Sequence, residues 1–197
     1  MNLWRTPLIG PTVFYLWKLD ARRKLGWIKD WIDIGDRLVE IGSGPGSTLS
    51  VMREAGYNIE GLDIQDSSYR PALKAQLYPG EVFPYEDKQF DTALLLTMLH
   101  HTPEPDHIIL EAARVARRLI IIEDVYDNAF QAWYTKRTDS LTNFEFIGHP
   151  RSNRSHAEWL KTFESLSLVL RYAKVHPLAL IYQQAVYVVD SSTHDSA

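Results

Sequence analysis

The chain has no cysteine among its 197 residues. This absence excludes disulfide frameworks, thiolate zinc sites, iron–sulfur clusters held by thiolates and thiol nucleophiles. An excess of positive charge is also lacking, because 21 Lys and Arg residues stand against 25 Asp and Glu residues, for a net charge of −4. That sign disfavours a protein that holds nucleic acid or anionic lipid by bulk charge.

Long uncharged apolar runs are missing as well. Charged residues interrupt the apolar segment 1–31 repeatedly, so that no run approaches the roughly 20 residues of a membrane span, and no signal-peptide pattern is present. We therefore expect a cytoplasmic protein without a transmembrane segment. With 45% hydrophobic and 23% charged residues, the chain has the composition of a folded domain, and its length favours one domain with a small appendage.

Short apolar runs alternate with helix-like stretches from residue 37 onward, as a parallel sheet with crossover helices requires. After residue 125 the alternation stops, and residues 126–154 form a long aromatic and polar connection before a last helix and two late strands. The predicted strands are 37–41, 58–64, 91–96, 119–123, 168–175 and 185–189, and the predicted helices are 15–31, 47–55, 105–118 and 157–166.

Three glycines, Gly42, Gly44 and Gly46, stand where the first of these strands passes into a helix. Ligands bind at such positions in open α/β sheets, and glycine lets the backbone turn sharply and approach a ligand closely. A triphosphate-binding loop would end in Gly-Lys-Ser/Thr, but the residues directly after Gly46 are Ser47 and Thr48, with no lysine. A dinucleotide-binding loop would place its third glycine at position 47, which is Ser47.

The observed spacing, G-x-G-x-G with Glu40 two residues before it, resembles the first motif of the class I S-adenosylmethionine-dependent methyltransferases. Asp63 follows the last glycine by 17 residues, where this superfamily has the carboxylate that accepts both ribose hydroxyls. The segments 83–91, 97–101 and 111–115 are similar to later motifs of its small-molecule, ubiquinone-biosynthesis-like branch. The resemblance covers residues 37–124 and extends more faintly to residue 189.

The resemblance implies an α/β fold with a Rossmann-like, mostly parallel seven-stranded sheet, helices on both faces and an antiparallel C-terminal strand. It also implies a domain division into an N-terminal helical cap at 1–34 and a methyltransferase domain at 35–190. Within that domain, an insertion at about 126–156 is expected on the acceptor side. The small polar residues 191–197 are expected to form a flexible tail.

The cofactor implied by the resemblance is S-adenosylmethionine, with S-adenosylhomocysteine as product. Glu40 is expected to orient the methionyl ammonium through water, or else to be a solvated carboxylate at a strand end. Asp63 is expected to bind the ribose, and Ile64 to pack against the adenine. The full set of expected cofactor residues is Glu40, Gly42, Ser43, Gly44, Gly46, Asp63, Ile64, Gly80, Glu81 and Thr97.

One departure from the family pattern concerns the adenine. Pro79 stands where an acidic residue commonly accepts from the adenine amino group, so Glu81 or the backbone of Gly80 is expected to replace that contact.

His100 and His101 follow the strand 91–96, beside the expected methyl donor. An imidazole there can take a proton from the acceptor, because its pKa lies near working pH; alternatively, the pair only shapes the pocket. We expect no metal site. The acceptor is expected to contact the long connection and the segment after it, through Trp133, Phe144, Glu145, His149, Asn153 and Arg154, with helix 15–31 closing the other side.

Methyl transfer to an oxygen, nitrogen or carbon nucleophile of a small molecule is the function that the resemblance favours. Two alternatives remain: a non-catalytic S-adenosylmethionine-binding sensor or partner protein, and a methyltransferase that acts on a macromolecule. The second is disfavoured by the net acidity and by the lack of an Asn/Asp-Pro-Pro-Tyr motif after strand 91–96. We expect no nucleic-acid partner, and the sequence does not indicate an oligomeric state.

Overall fold

The computed structural model of the chain describes residues 9–126, 153–179 and 182–191. No helix in these three ranges is long and apolar enough to cross a membrane.

The described residues contain seven strands, β1 (Arg37–Ile41), β2 (Asn58–Asp63), β3 (Gln76–Leu77), β4 (Phe90–Leu96), β5 (Ala116–Val125), β6 (Leu168–Ala179) and β7 (Tyr182–Ser191). They form one sheet in the order β3-β2-β1-β4-β5-β7-β6. Neighbours among β1 to β5 pair in parallel, whereas β7 pairs antiparallel with both β5 and β6. This arrangement confirms the predicted fold class.

Helices cover both faces of this sheet: α1 (Gly10–Ile28), α2 (Ser47–Glu54), α3 (Pro105–Val115) and α4 (His156–Ser165). Phe14 of α1 and Leu49 and Met52 of α2 pack in one hydrophobic core, and Ile109 of α3 and Trp159 of α4 pack in the core on the opposite face. Because both faces are covered, the central strands are continuous apolar runs. Short 3-10 helices lie at Lys29–Trp31, Pro71–Leu73 and Leu99–His101.

The parallel strands bring their carboxyl ends to one edge of the sheet. In register, Ile41 of β1 lies between Leu62 of β2 and Leu95 of β4, so the loops that follow these strands are neighbours. The antiparallel β7 begins at the same edge, where Gln184 lies beside Asp124. Polar residues that are far apart in the sequence therefore meet at this edge.

The elements differ from the prediction mainly at their ends. α1 begins at Gly10 and ends at Ile28, earlier at both ends than the predicted helix 15–31, and its last predicted turn is the 3-10 helix Lys29–Trp31. α3 ends at Val115, because the chain passes directly into β5 at Ala116. β6 and β7 are longer than predicted, since they pair with each other along nearly their whole length.

Candidate functional site

The loop between β1 and α2 has left-handed backbone at all three glycines, with φ of +69° at Gly42, +50° at Gly44 and +82° at Gly46. Side-chain-bearing residues rarely adopt this conformation. The Gly42 N–H donates to the Leu62 carbonyl at 2.8 Å, which fixes the loop to the end of β2. The loop is thus held where β1 and β2 end side by side.

The three glycines differ in what surrounds them. A Cβ at Gly42 would lie 3.0 Å from Met98 Cε, and one at Gly46 would lie 2.7 Å from Leu73 Cβ. A Cβ at Gly44 would meet no atom of the described residues within 4 Å. Gly44 therefore turns bare backbone toward open space, where a ligand can approach it closely.

Asp63, the last residue of β2, is buried and faces the glycine loop. One carboxylate oxygen, Oδ2, accepts from the Gly44 N–H at 2.8 Å, and the other accepts from the Gln65 N–H at 3.2 Å. Each carboxylate oxygen has two lone pairs, so both oxygens can still accept a hydroxyl hydrogen. The structure therefore brings together Asp63 and Gly44, two of the residues predicted to bind the cofactor.

Glu40 lies inside the protein, with only 4% of its surface exposed. The Thr48 hydroxyl of α2 forms a hydrogen bond with its carboxyl group, but Oε2 finds no partner among the described residues. Burial raises the pKa of Glu40 from 4.5 to about 8. The interpretation of Glu40 as a solvated carboxylate does not fit this burial, and the unpartnered oxygen suits a cationic ligand group.

The backbone at Thr97, which follows β4, is strained. A φ of +53° is unusual for a β-branched residue, and such strain is often found at functional sites. Its N–H donates to the Ile122 carbonyl at 2.6 Å, and its hydroxyl accepts from Lys24 Nζ of α1 at 2.9 Å. Sequence reasoning did not single out Lys24, because the charged residues around it in α1 give no sign of which one turns inward.

Ile64 and Gly80 lie together beside Asp63. The Ile64 side chain is 63% exposed, and its Cγ2 would be 3.8 Å from a Cβ on Gly80. The neighbouring Glu81 carbonyl lies 2.7 Å from Nε2 of His107, while the Glu81 residue itself is exposed. An exposed apolar side chain next to a glycine with φ of +99° forms a surface that can accept a flat ring.

Ser43 has a different environment from its two glycine neighbours. Its Oγ is buried without a hydrogen-bond partner among the described residues, and it would lie 2.8 Å from a Cβ on Gly61 of β2. Its N–H lies 3.3 Å from the Leu62 carbonyl. The side chain of Ser43 thus packs against β2, so any ligand contact from this residue would come from its backbone.

His100 is buried and paired with Glu123 of β5. Its Nδ1 lies 2.7 Å from Glu123 Oε2, while Glu123 Oε1 accepts from the N–H groups of Met98 and Leu99 at 2.9 and 2.7 Å. Glu123 therefore fixes both the turn that carries the histidine and the orientation of its ring. His101 is half-buried, and its ring centroid is 4.1 Å from that of His100.

β5 carries a second buried carboxyl group, Asp124, on the side of the strand opposite to Glu123. It accepts hydrogen bonds from Gln184 Nε2 at 2.8 Å and from the Tyr182 hydroxyl, and burial raises its pKa. Gln184 also accepts from Arg23 of α1 at 3.1 Å. This network joins β5, β7 and α1, and sequence reasoning missed it because the three segments are distant along the chain.

Two of the predicted acceptor residues can be placed. Arg154 forms an ion pair with Asp106 at 2.6 Å, donates to the Thr162 hydroxyl and lies over the Trp159 ring at 5.0 Å, so its charge is already engaged within the protein. Asn153 Nδ2 is buried without an acceptor among the described residues. The other four predicted acceptor residues, Trp133, Phe144, Glu145 and His149, lie outside the described residues.

Comparison with known proteins gives a sequence match first. Residues 39–119 match a family described as "Methyltransferase domain". A ubiquinone biosynthesis O-methyltransferase of Ralstonia nicotianae is 27% identical over 106 residues, which cover 48% of this chain and 44% of that protein. A 27-O-demethylrifamycin SV methyltransferase of Amycolatopsis mediterranei is 35% identical over 97 residues, covering 42% of this chain and 35% of the relative. The chain thus matches less than half the length of either relative.

Solved structures share the fold. Magnesium protoporphyrin IX methyltransferase from Synechocystis, crystallised with bound S-adenosylhomocysteine, superposes with a TM-score of 0.64 at 17% identity and covers 88% of this chain and 83% of its own. A likeness at this identity shows the fold alone. Residues 39–119 of this chain are thus similar to a methyltransferase domain family, and the chain has the fold of solved S-adenosylmethionine-dependent methyltransferases.

Proposed function

We propose that this chain transfers a methyl group from S-adenosylmethionine to a hydroxyl oxygen of a small molecule. The proposal rests on one oxygen of the buried Glu40 carboxyl group, which has no partner among the described residues and lies next to a loop whose Gly44 backbone is open. A buried acid with a free acceptor atom is costly unless a ligand satisfies it. The methionyl ammonium of the cofactor would satisfy it.

The residues at the carboxyl edge fit the parts of the cofactor. When bound, S-adenosylmethionine supplies a methyl group made electrophilic by its sulfonium. Glu40 would hold the ammonium, Asp63 would accept from the ribose hydroxyls, and Ile64 with Gly80 would offer an apolar surface to the adenine. Alignment and exclusion of water are the main contributions that a protein makes to such a displacement.

A hydroxyl acceptor is supported by the relatives and by the histidines. One relative is named as a ubiquinone biosynthesis O-methyltransferase, and the other is named for a 27-O-demethylated rifamycin, which points to an oxygen acceptor. A hydroxyl must lose its proton as the new bond forms, and His100 is the best candidate to take it, because Glu123 holds Nδ1 and orients Nε2 as the acceptor. His101 is the alternative base, and both residues are proposals.

The residues outside the described ranges keep their predicted role. We propose that Trp133, Phe144, Glu145 and His149, together with Asn153, line the acceptor side. Arg154 is a weaker candidate, since Asp106 and Thr162 already engage it. The predicted domain boundaries, the cytoplasmic location and the absence of a nucleic-acid partner also remain predictions.

A methyl-transfer assay tests this proposal directly. The protein is incubated with S-adenosylmethionine carrying a labelled methyl group and with pools of small phenols, hydroxy acids and polyketide alcohols. Labelled small-molecule product together with S-adenosylhomocysteine is the expected result, and Asp63→Ala, with its weaker cofactor binding, should give less product at low cofactor concentration. If S-adenosylhomocysteine binds but label goes only to added protein or RNA, or nowhere, the small-molecule proposal is wrong.

A further inference from the structure

α1 is apolar on its outward side as well as on the side that packs on the sheet. Tyr15 and Leu16 are each 57% exposed, and Ile9 and Leu19 are each 44% exposed. Residues three, four and seven positions apart lie on the same side of a helix, so these four side chains lie together and form the outward patch of α1. Packing in the core explains the opposite side of the helix, but it does not explain this one.

The outward patch differs from the rest of the surface formed by residues 9–126, 153–179 and 182–191. Elsewhere in these ranges, large apolar side chains are exposed singly along the chain or, at Val169 and Leu170, as one pair. Single exposed apolar side chains are ordinary in globular domains, whereas a group of them marks a contact surface. The outward patch is therefore the strongest candidate within these ranges for a contact with something outside the chain.

Positive charge borders the outward patch. Arg22 follows Leu19 by three residues and Tyr15 by seven, so it lies on the same side of α1, and its side chain is 47% exposed. Two carboxylates near this part of the helix are each shared by two cations: Glu54 by Lys18 and Arg22, and Asp20 by Arg23 and Lys24. Four positive charges thus stand against two negative ones, which leaves a local excess of positive charge.

An anionic lipid surface complements such a patch. Apolar side chains enter the boundary between headgroups and acyl chains, while arginine meets the negative headgroups. Tyr15 suits this boundary, because its ring is apolar and its hydroxyl is polar. A second copy of the chain fits less well, since four side chains fall short of the roughly 800 Å² per partner of a stable interface and symmetry would bring the arginines together. The net charge of −4 gives no long-range attraction to such a surface, so the contact depends on charges within about 10 Å of it.

We propose that the outward patch of α1, together with Arg22, docks this protein reversibly on an anionic lipid surface. This inference goes beyond the proposed function and does not rest on it, because none of these side chains is among the residues assigned to the cofactor. It has one consequence for that function. A helix is about 10 Å wide, and the inward side of α1 reaches Thr97, so docking would hold the carboxyl edge of the sheet close to the lipid.

Co-sedimentation of the full chain with lipid vesicles tests the inference. The wild-type protein should bind vesicles of phosphatidylcholine mixed with phosphatidylglycerol, should bind phosphatidylcholine alone more weakly, and should lose this difference at high salt. Leu19→Ser should weaken binding to the mixed vesicles by about three- to tenfold, and Arg22→Gln by about fivefold. Leu110→Ser is the matched control, because Leu110 is a leucine of α3 with nearly the same exposure, 47% against 44% for Leu19.

Three results would overturn the inference: binding of the wild type to neither kind of vesicle, equal binding to both kinds, or equal binding by Leu19→Ser and Leu110→Ser. A dimer that forms without lipid and dissociates in Leu19→Ser would also overturn it, because it would assign the patch to a second copy. The wild-type comparison decides the matter even if the variants fold poorly. The methyl-transfer assay contains no lipid, so the proposed function succeeds or fails independently of these results.

Discussion

Buried charges distinguish the carboxyl edge of the sheet at the scale of single residues. Glu123 is fully engaged by two backbone N–H groups and His100, and Asp124 by Tyr182 and Gln184. Glu40 keeps an oxygen that has no partner in the part of the chain that the structure describes. Since burying a charged group without a partner is costly, we attribute the satisfied pairs to positioning and Glu40 to ligand binding.

Removal of the Asp63 carboxylate should weaken cofactor binding. Asp63→Ala would leave two ribose hydroxyls and the Gly44 N–H without their acceptor, so we expect S-adenosylhomocysteine affinity to fall by about 1.5–3 kcal/mol. Calorimetric titration measures the loss, with Glu60→Ala, an exposed carboxylate on the same strand, as the matched control. Equal affinity for wild type and Asp63→Ala would remove Asp63 from the site.

Cofactor binding should release a proton from Glu40. Because its pKa is about 8 in the free protein, Glu40 holds a proton at neutral pH and must lose it to pair with an ammonium. The Kd for S-adenosylhomocysteine should therefore fall, by up to about tenfold per pH unit, as pH rises from about 6 to about 8. Titrations across this range should show the slope in wild type and Glu60→Gln, and a flat, weaker profile in Glu40→Gln.

The raised pKa of Glu40 also affects stability: the free energy of unfolding should fall as pH rises, whereas cofactor affinity should rise. Because the folded-state pKa of Glu40 lies above the unfolded value of 4.5, its contribution to stability is complete below pH 4.5 and is lost as pH rises through about 8. The unliganded wild type should therefore lose free energy of unfolding across this interval relative to Glu40→Gln. Parallel stability curves for the two proteins would contradict the burial of an ionisable group at position 40.

The histidine pair should affect the rate more than cofactor binding. If His100 takes the acceptor's proton, His100→Gln should lower kcat by roughly 10²–10⁴ while S-adenosylhomocysteine affinity stays near wild type. His101→Gln is the companion variant, and His107→Gln, an exposed histidine on α3, is the control. Full kcat and an unshifted pH–rate profile in both variants would contradict a general-base role for either histidine, and alignment of the two substrates would then account for the catalysis.

Residue-level prediction from the sequence worked where the signal was local. The spacing of Glu40, the glycines and Asp63 identified residues that the structure places at one edge. Lys24 and Asp124 could not be found this way, because Lys24 meets Thr97 across 73 residues and Asp124 meets Gln184 across 60. Only the packing of α1 and β7 onto the sheet creates these contacts.

At the scale of elements, the turn from β1 into α2 depends on glycines with different constraints. Gly46 stands at the N-cap of α2 against Leu73, and Gly44 faces open space. Gly46 is therefore expected to matter mainly for the stability of the loop, and Gly44 mainly for ligand binding.

Gly46→Ala and Gly44→Ala should fail in different ways. Both force a left-handed backbone on alanine, at about 1–3 kcal/mol, and Gly46→Ala adds a clash with Leu73 Cβ. We expect Gly46→Ala to lower the unfolding midpoint more, and Gly44→Ala to weaken S-adenosylhomocysteine binding more than its stability loss explains. Thermal unfolding and titration of both variants check this order. A larger stability loss in Gly44→Ala would show that the loop is packed differently.

The sequence predicted the presence of helices and strands better than the residues at which they begin and end. Periodicity located the four long parallel strands and both helices between them. Periodicity did not predict β3, because Gln76–Leu77 has only two residues and both are exposed. Only the family resemblance, with its seven-stranded sheet, implied this strand. β7 extends beyond its apolar centre because polar residues such as Gln183 and Gln184 still pair with β5. Pairing with a neighbouring strand, which a single segment does not reveal, sets these limits.

At the scale of the whole molecule, the strand order determines which residues lie close together at the carboxyl edge of the sheet. β1 lies between β2 and β4, so Glu40, Asp63 and Thr97 share one edge. α1 covers this edge from one face, where Lys24 reaches Thr97, and the antiparallel β7 supplies Gln184 beside Asp124. We propose that this edge holds the amino-acid group, the ribose and the adenine of S-adenosylmethionine at separate places.

Thermal unfolding of the wild-type protein with and without S-adenosylhomocysteine tests this account most directly. A ligand that binds only the folded state at 100 times its Kd stabilises that state by about 2.7 kcal/mol. The account predicts a clear, saturable rise of Tm with S-adenosylhomocysteine and no rise with NAD or ATP at the same concentrations. An unchanged Tm with S-adenosylhomocysteine, or a rise with NAD instead, would contradict it.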